Sequence, residues 1–557
     1  MNGQDEEVEV PVLIVGGSLV GLSTALLLAS HGVESLVVER HSGTAIHPRA
    51  GHFNLRTLEI LRSAGLEEAV RRRSREQYPP DGGISNVESL AGREIATYFA
   101  DLNAGVAEFS PTIRLFINQD ALEPILRERA ESLGARTRYR TECTSLESDD
   151  DGVTAVLTDA DTGAQSRVRA RYAVAADGNR SPVRNRLGIQ MRGHGILSNS
   201  ITIYFRAERD LTPLLAGRNQ GVHYVTNPVL RGFFRLDRSG NGGFLVVNLV
   251  GDTARPEIVA AYPEAPWANV AEGITKERAF ELLRAAIGVP GMPLVIEDIA
   301  TWQAVADVAD RYCDGRIFLA GDAAHVVPPN GGFGGNTGVH DAHNLAWKLA
   351  HVVHGTAGPG LLATYDAERR PVGAFTVEQS YARYVTRVAP YLGTQDAQPV
   401  VDDLYLELGY RYASPAILAE QGDDRPPQQH PRECQGEPGS RAPHVWLNRR
   451  GDLVSTLDLF GQNFVLLAGP HGGAWRDAAH GAAERLGVGL DACLVDDGAG
   501  ELADTDARFC AAYGISQDSA VLVRPDGFVA WRAADASGAT ADDLAGVLAR
   551  VLCREDA

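Results

Sequence analysis

The chain has 557 residues, 44% of them hydrophobic, and a formal net charge of −20. That length exceeds one ordinary domain and suffices for large cores, and the acidic balance argues against a nucleic-acid-binding face. The six cysteines form no CxxC pair, so no metal site or redox dithiol is expected; no apolar run is long enough for a membrane span, and the acidic N-terminus lacks a signal-peptide core, which fits a cytoplasmic protein.

The first element is "EVPVLIVGGSLVGLSTALLLASHGVESLVVER", which reads as strand, tight turn, helix, strand. Val10 to Val15 is a short apolar run of the kind a buried parallel strand needs. Gly16, Gly17 and Gly21 make the turn, with Ser18, Leu19 and Val20 inside it. Gly32 ends the helix, and Leu36 to Val38 forms a second strand closed by Glu39 and Arg40. This is a dinucleotide-binding arrangement: Gly16 permits the turn, Gly21 lets helix and strand approach, and the helix start faces a pyrophosphate. Glu39 stands where an acid accepts from a ribose. Ser18 replaces the second fingerprint glycine; its Cβ narrows the phosphate approach, while its hydroxyl is able to donate to it.

Further along, "RYAVAADGNRSPVRNRLGI" ends an apolar strand in Asp177-Gly178, and "RIFLAGDAAH" ends another in Gly321-Asp322. Each turn alone fits a simple Asp cap. Three strand-to-acid turns together imply that distant segments meet on one ligand. Between them, "ITIYFRA", "GVHYVTNP", "RGFFRLD" and "GGFLVVNLV" are short aromatic or β-branched strands separated by turn residues. They predict a sheet over 187–300, with Tyr224 among its aromatic residues.

After Asp322 the chain reads "AAHVVPPNGGFGGNTGVHDAHNLAWKLAHVVHG". Pro328 and Pro329 fix the backbone direction. Gly331, Gly332, Gly334 and Gly335 remove side chains, so that backbone groups can approach a ligand. A helix is predicted from near Asn336 or Thr337 to Gly355, with Val339, Ala342, Ala346, Leu349 and Val353 on its buried face. Residues 396–440 are rich in Pro, Gln, Asp and Glu and read as a linker. Beyond it, Asp526-Gly527 between two apolar runs signals a hairpin.

The glycine fingerprint, "DGNRSPVR" and "GDAAHVVPPNGGFGGNTGVHDAHNLAWKL" together resemble the class A flavoprotein monooxygenases of the para-hydroxybenzoate hydroxylase fold. The resemblance is closest to the bacterial aromatic polyketide hydroxylases of anthracycline, angucycline and tetracenomycin type. It implies an α/β fold: a Rossmann-like FAD-binding domain in two parts (1–186 and 301–395), the inserted β-sheet substrate domain, and a thioredoxin-like domain over 441–557 without a redox dithiol. It also implies FAD, reduced by NADPH or NADH, with O2 and a small aromatic substrate as partners, in a monomer or homodimer.

Carried over by motif, Glu39 binds the adenosine ribose, Arg49 and Gln119 contact the flavin side chain and phosphates, Asp177 serves pyrophosphate and nicotinamide, and Asp322 binds the ribityl and pyrophosphate region. The loop from Pro329 to Asn336 meets the flavin ring. Without the resemblance, a surface ion pair or helix cap is the favoured reading of Arg49 and Gln119. The implied reaction is hydroxylation of a polycyclic phenol or quinone through a flavin C4a-hydroperoxide. Tyr224 and Arg387 are the candidate catalytic groups, and His52 is a further one. Baeyer–Villiger insertion, epoxidation and a non-catalytic flavin-binding partner remain alternatives.

Overall fold

The computed structural model describes residues 8–46, 50–251, 269–393, 397–496, 498 and 501–554. The strand Val8–Val15 lies at the centre of the first sheet, parallel to Ser35–Val38 on one side and to Gln165–Ala175 on the other. Ile317–Leu319 extends the sheet in parallel beyond Gln165–Ala175. The register pairs Val15 with Ala175, and Ala175 with Leu319. Three strands therefore end at one edge, and the turns at Gly16, Asp177 and Gly321 leave from it. Ligands of open parallel sheets bind in the crevice beyond such ends.

The second sheet runs from His325–Val326 through Leu294–Ala309, Met191–Ala207, Gly242–Val250, Leu230–Leu236 and Val222–Thr226 to Ile84–Val87 and Glu94–Phe99. Its limits differ from the 187–300 insertion. Residue 300 falls within the 16-residue strand Leu294–Ala309, which pairs along the 17-residue Met191–Ala207. Two strands from before residue 187 also join it, Ile84–Val87 parallel to Val222–Thr226. Edge pairing depends on distant partners, which a local alternation pattern does not specify.

Alternation sorts the faces of this sheet. Val225, Phe234, Leu236, Leu245 and Val247 are buried in one apolar cluster with Leu282, Leu283 and Ile287 of the helix Lys276–Ile287. Tyr224, Phe233, Arg235, Phe244 and Val246 belong to the other face, since Tyr224 pairs with Phe233, and Phe233 and Arg235 pair with Val246 and Phe244.

The C-terminal unit is a seven-stranded sheet. Phe464–Ala468 runs parallel to Leu490–Asp496 and antiparallel to Ala520–Val523. The helices Gly473–Leu486 and Ala541–Val551 pack together beside it. Its cysteines, Cys493, Cys510 and Cys553, are free. No described helix is long and apolar enough to cross a membrane.

Residues 397–440 correct the reading of a linker. They form a packed strap: a short helix Asp403–Glu407, then Tyr410, Tyr412 and Ile417 buried against Val372 and Phe528. Its Pro and Gln content predicted extended backbone, but its tyrosines and leucines carry enough apolar area to be drawn into a core.

Buried histidines, His223 and His444 among them, give this fold a pH signature. His223 bonds Ser85 Oγ at 2.8 Å and His444 bonds Ser455 Oγ at 2.7 Å. Burial holds both pKa values down at about 4. Their folded forms stay neutral while the unfolded chain takes up protons near pH 6.5. Stability is therefore full above pH 6.5 and is lost as pH falls from 6.5 toward 4, by up to about 1.4 kcal/mol per pH unit per histidine. Denaturant titrations at pH 7 and 5 are expected to show this loss, and His223→Gln to reduce it. An unchanged slope in the variant would contradict the assignment.

Candidate active site

The first turn is tight because its neighbours leave no room for side chains. A Cβ on Gly16 would overlap the Ala176 carbonyl, and one on Gly21 would overlap the carbonyl of Gly16. Gly16 N–H donates to Val38 O at 2.9 Å, and Gly17 N–H donates to Glu39 Oε2 at 2.8 Å. The helix Leu19–Ser30 starts with no side-chain cap and no acid in its first turn, which leaves its positive end to an anion. Arg40 is exposed beside Glu39, and Arg49 lies outside the described residues.

Ser18 departs from its expected role toward a phosphate. Its hydroxyl donates to Glu123 Oε1 at 2.6 Å. Gln119 Nε2 donates to Ser18 Oγ and to Glu123, while its Oε1 accepts from Ala50 N–H at 3.1 Å. Glu123 also accepts from Ala45 N–H. Sequence reasoning passed over this fully buried carboxylate. The only local signal is its position four residues after Gln119 on one helix.

Gly321 adopts φ +62°, and a Cβ there would lie 2.7 Å from Val20 Cγ2. Its N–H donates to Asp341 Oδ2 at 3.1 Å. Asp341 is buried and also accepts from His325 Nε2 at 2.7 Å and Arg369 Nε at 2.8 Å. This buried group ties the turn to two long helices, and it too went unread in the sequence. Asp322 stands exposed at the same turn. Across the crevice, Asp177 Oδ2 accepts from Val183 N–H, whereas its buried Oδ1 has no partner. Burial raises the pKa of this carboxyl.

The glycine loop starts its helix three residues earlier than the caps suggested. The helix spans Phe333–Val353, with Gly332 as N-cap at φ +69° and no side-chain cap. Asn336 is therefore a second-turn residue. Its Nδ2 donates to His52 O at 2.9 Å and Gly332 O at 2.7 Å, and its Oδ1 accepts from Asn54 N–H and Thr57 Oγ1. Long-range partners fix this side chain inside the helix, where a cap reading would leave it outside. A Cβ on Gly335 would lie 3.0 Å from Leu19 Cδ2, one on Gly334 3.0 Å from Val327 Cγ2, and one on Gly332 3.2 Å from His52. Pro329 is half-buried where the loop begins. The loop thus packs against the first turn and the Ala50–His52 segment.

The remaining wall is aromatic. Tyr224 is 3% exposed, and its ring meets Tyr98 edge-on at 5.9 Å and Phe233 at 5.9 Å. Arg387, from the helix Gly360–Arg387, lies over Tyr98 at 4.4 Å and over Tyr224 at 5.6 Å. Asn330 of the loop reaches the Tyr224 hydroxyl at 3.5 Å. The two candidate catalytic residues therefore meet, and Tyr98, which sequence reasoning missed, completes the group. His52 is adjacent to the loop; burial and the Arg114 charge hold its pKa down at about 4, so it stays neutral.

The site fits a dinucleotide joined to a planar ring. Two uncapped helix starts face one crevice, glycines line the approach, and a buried carboxylate oxygen lacks a partner. Comparisons agree. Residues 9–380 match the family model described as "FAD binding domain", and residues 435–554 match "Aromatic-ring hydroxylase, C-terminal". The chain is 56% identical over 551 residues to a 4-methyl-5-nitrocatechol 5-monooxygenase from Burkholderia sp, covering 98% of each. It is 41% identical to the tetracenomycin A2 monooxygenase-dioxygenase of Streptomyces glaucescens, covering 98% of this chain and 97% of that one. Among solved structures, it superposes with TM-score 0.89 and 39% identity on aklavinone-11 hydroxylase in complex with FAD and aklavinone, over 100% of both chains.

Proposed function

The chain belongs to the FAD-dependent aromatic-ring hydroxylases, and from that premise we propose that it hydroxylates a phenolic ring with O2, using NADPH or NADH as reductant. One observation carries the reading of the reacting centre: Tyr98, Tyr224 and Arg387 meet on the pocket face of the second sheet, beside Asn330 of the glycine loop. When bound, FAD would pass electrons from the nicotinamide to O2, one atom of which enters the ring while the other leaves as water. The chain's own residues hold and orient. Gly16, Leu19, Val20, Gly21, Glu39 and Asp177 take the adenosine and pyrophosphate end, and Asp322 takes the ribityl chain. Pro329, Gly332, Gly334 and Gly335 let the loop approach the ring, and Asn336 braces the helix start. Arg387 and Tyr224 hold the substrate hydroxyl in its electron-rich form, and the aromatic wall excludes water.

Polycyclic polyketide phenols are one substrate reading, supported by relatives at about 40% identity such as the tetracenomycin and aklavinone enzymes. A single-ring nitrocatechol is the second, favoured by the 56% relative. Substrate-stimulated NAD(P)H oxidation with both classes, followed by product mass from labelled O2, tests the proposal. Stimulation by neither class would sink it; ring opening would point to an insertion reaction.

The purified protein is expected to be yellow, and acid precipitation to release the colour. Asp322→Ala is expected to lower FAD affinity by about 1.5–3 kcal/mol, the worth of hydrogen bonds to a charged group. Equal FAD content at limiting FAD would remove Asp322 from the site.

A further inference from the structure

A buried chain of hydrogen bonds on the second sheet ends on an unanswered amide. The Tyr384 hydroxyl donates to Ser198 Oγ at 2.8 Å, Ser198 Oγ and Ser200 Oγ are hydrogen-bonded at 2.8 Å, and Asn248 Nδ2 donates to Ser200 Oγ at 3.1 Å. None of these residues is more than 1% exposed. Asn248 Oδ1 is fully enclosed without a hydrogen-bond partner.

The backbone sets where this amide points. Gly232 pairs with Val247 but Arg231 pairs with Leu249, so Asn248 is the extra residue of a β-bulge, a device that re-aims a side chain. Ser200 lies two residues from Thr202, which pairs with the pocket-face residue Val246. Tyr384 precedes Arg387 by three residues on one helix, and so shares its side. The chain of hydrogen bonds therefore runs along the wall that carries Tyr224 and Arg387. The hydroxyls of Tyr384, Ser198 and Ser200 each hold one proton, and the two contacts among them use two. With Ser198 donating to Ser200, Ser200 Oγ accepts twice and its own proton is left over. One O–H donor and one amide acceptor then stand side by side, and leaving either unmade in a buried place is costly. A carbonyl would answer only the donor, and an ammonium only the acceptor; a neutral hydroxyl answers both.

We propose that Asn248, with Ser200, is a specificity-determining residue that reads a neutral hydroxyl of the ring substrate, distinct from the hydroxyl held by Tyr224 and Arg387. The inference rests on the hydroxylase reading and narrows its phenols to those with a second, un-ionised hydroxyl. A site built around such a group rejects the analogue lacking it, because its own polar atoms are then left unpaired.

The test uses the FAD-loaded protein, its Asn248→Leu and Ser200→Ala variants and the double variant. The probes are two pairs differing by one hydroxyl: 4-nitrocatechol with 4-nitrophenol, and 1,2-dihydroxyanthraquinone with 1-hydroxyanthraquinone. Binding is read from the flavin absorbance change, without turnover. In the pair that binds, the wild type is expected to prefer the dihydroxy member by about tenfold or more. Each single variant is expected to weaken that member about tenfold and the other less than about threefold, and the double variant to cost little more than one single, since both residues hold one hydroxyl. The preference is a ratio within each protein, so a general loosening of the fold leaves it unchanged. Equal binding of both members by the wild type would mean that water fills the site, and would overturn the proposal. So would a preference that survives in both single variants, or failure of all four probes to bind. NAD(P)H oxidation stimulated equally by both members of a pair would keep the hydroxylase reading and overturn this one; a binding preference without any stimulation would do the reverse.

Discussion

Arg524→Ala is expected to destabilise the protein by about 3–5 kcal/mol, the cost of leaving a buried ion without its partner. Arg524 comes from the hairpin of the C-terminal unit and is fully buried against the helices that carry the loop. It donates to Glu368 at 2.7 and 2.9 Å and to Asp526 at 3.0 Å. Lys348 Nζ, on the helix Phe333–Val353, donates to the same Glu368 at 2.7 Å and to Asn344 at 2.8 Å. Two cations and two carboxylates balance, and Arg524 and Lys348 hold the Glu368 pKa well below the usual range against burial. Removing one cation leaves a net negative charge out of water. Arg524→Met with Glu368→Gln removes one charge of each sign and is expected to recover a large part of the loss. Thermal and denaturant midpoints of the three proteins, with FAD release followed by fluorescence, check this. A single variant as stable as wild type would show that the cluster is not what holds the C-terminal unit to the helix.

Gly331→Ala is the second large expected effect. Gly331 adopts φ +112°, and an added Cβ would overlap the Phe333 ring. Strain at such a backbone conformation costs about 1–3 kcal/mol, and here it falls on the turn before an uncapped helix start, which in the proposed function meets the flavin ring. Lower FAD content is expected. In molecules that keep FAD, the helix-end charge should stabilise the reduced, anionic ring less. The flavin potential then falls and more H2O2 is released per NAD(P)H consumed. Gly546→Ala is the control: it lies in the helix Ala541–Val551 of the C-terminal unit, with nothing within 4 Å of an added Cβ. Wild-type FAD content, potential and coupling in Gly331→Ala would mean that the loop does not serve the ring.

Much of the dinucleotide half was legible because its signals are local. The run Val10 to Val15, the glycines at 16 and 21 and the acid at 39 each state a backbone or burial requirement within a few residues. The fold class followed from these motifs and from the resemblance they carry. The helix start was misplaced by three residues because Asn336 looks like a cap from its neighbours alone, whereas its partners are His52, Asn54 and Thr57, nearly 300 positions away. The hairpin at Asp526-Gly527 was legible as a turn, yet nothing local said that its tip would be buried with Arg524.

The sequence by itself thus determined the nucleotide turns, the strand and helix types, and the family they belong to. Tertiary structure alone decided which buried charges pair: Asp341 with His325 and Arg369, Glu368 with Lys348 and Arg524, Glu59 with Arg441. It also decided which charge stays unpaired, Arg235. Periodicity reports whether a position is apolar and faces inward, because that depends on the element itself. Which counter-charge meets a buried ion depends on how elements hundreds of residues apart dock, and that information is not carried by any one stretch of chain.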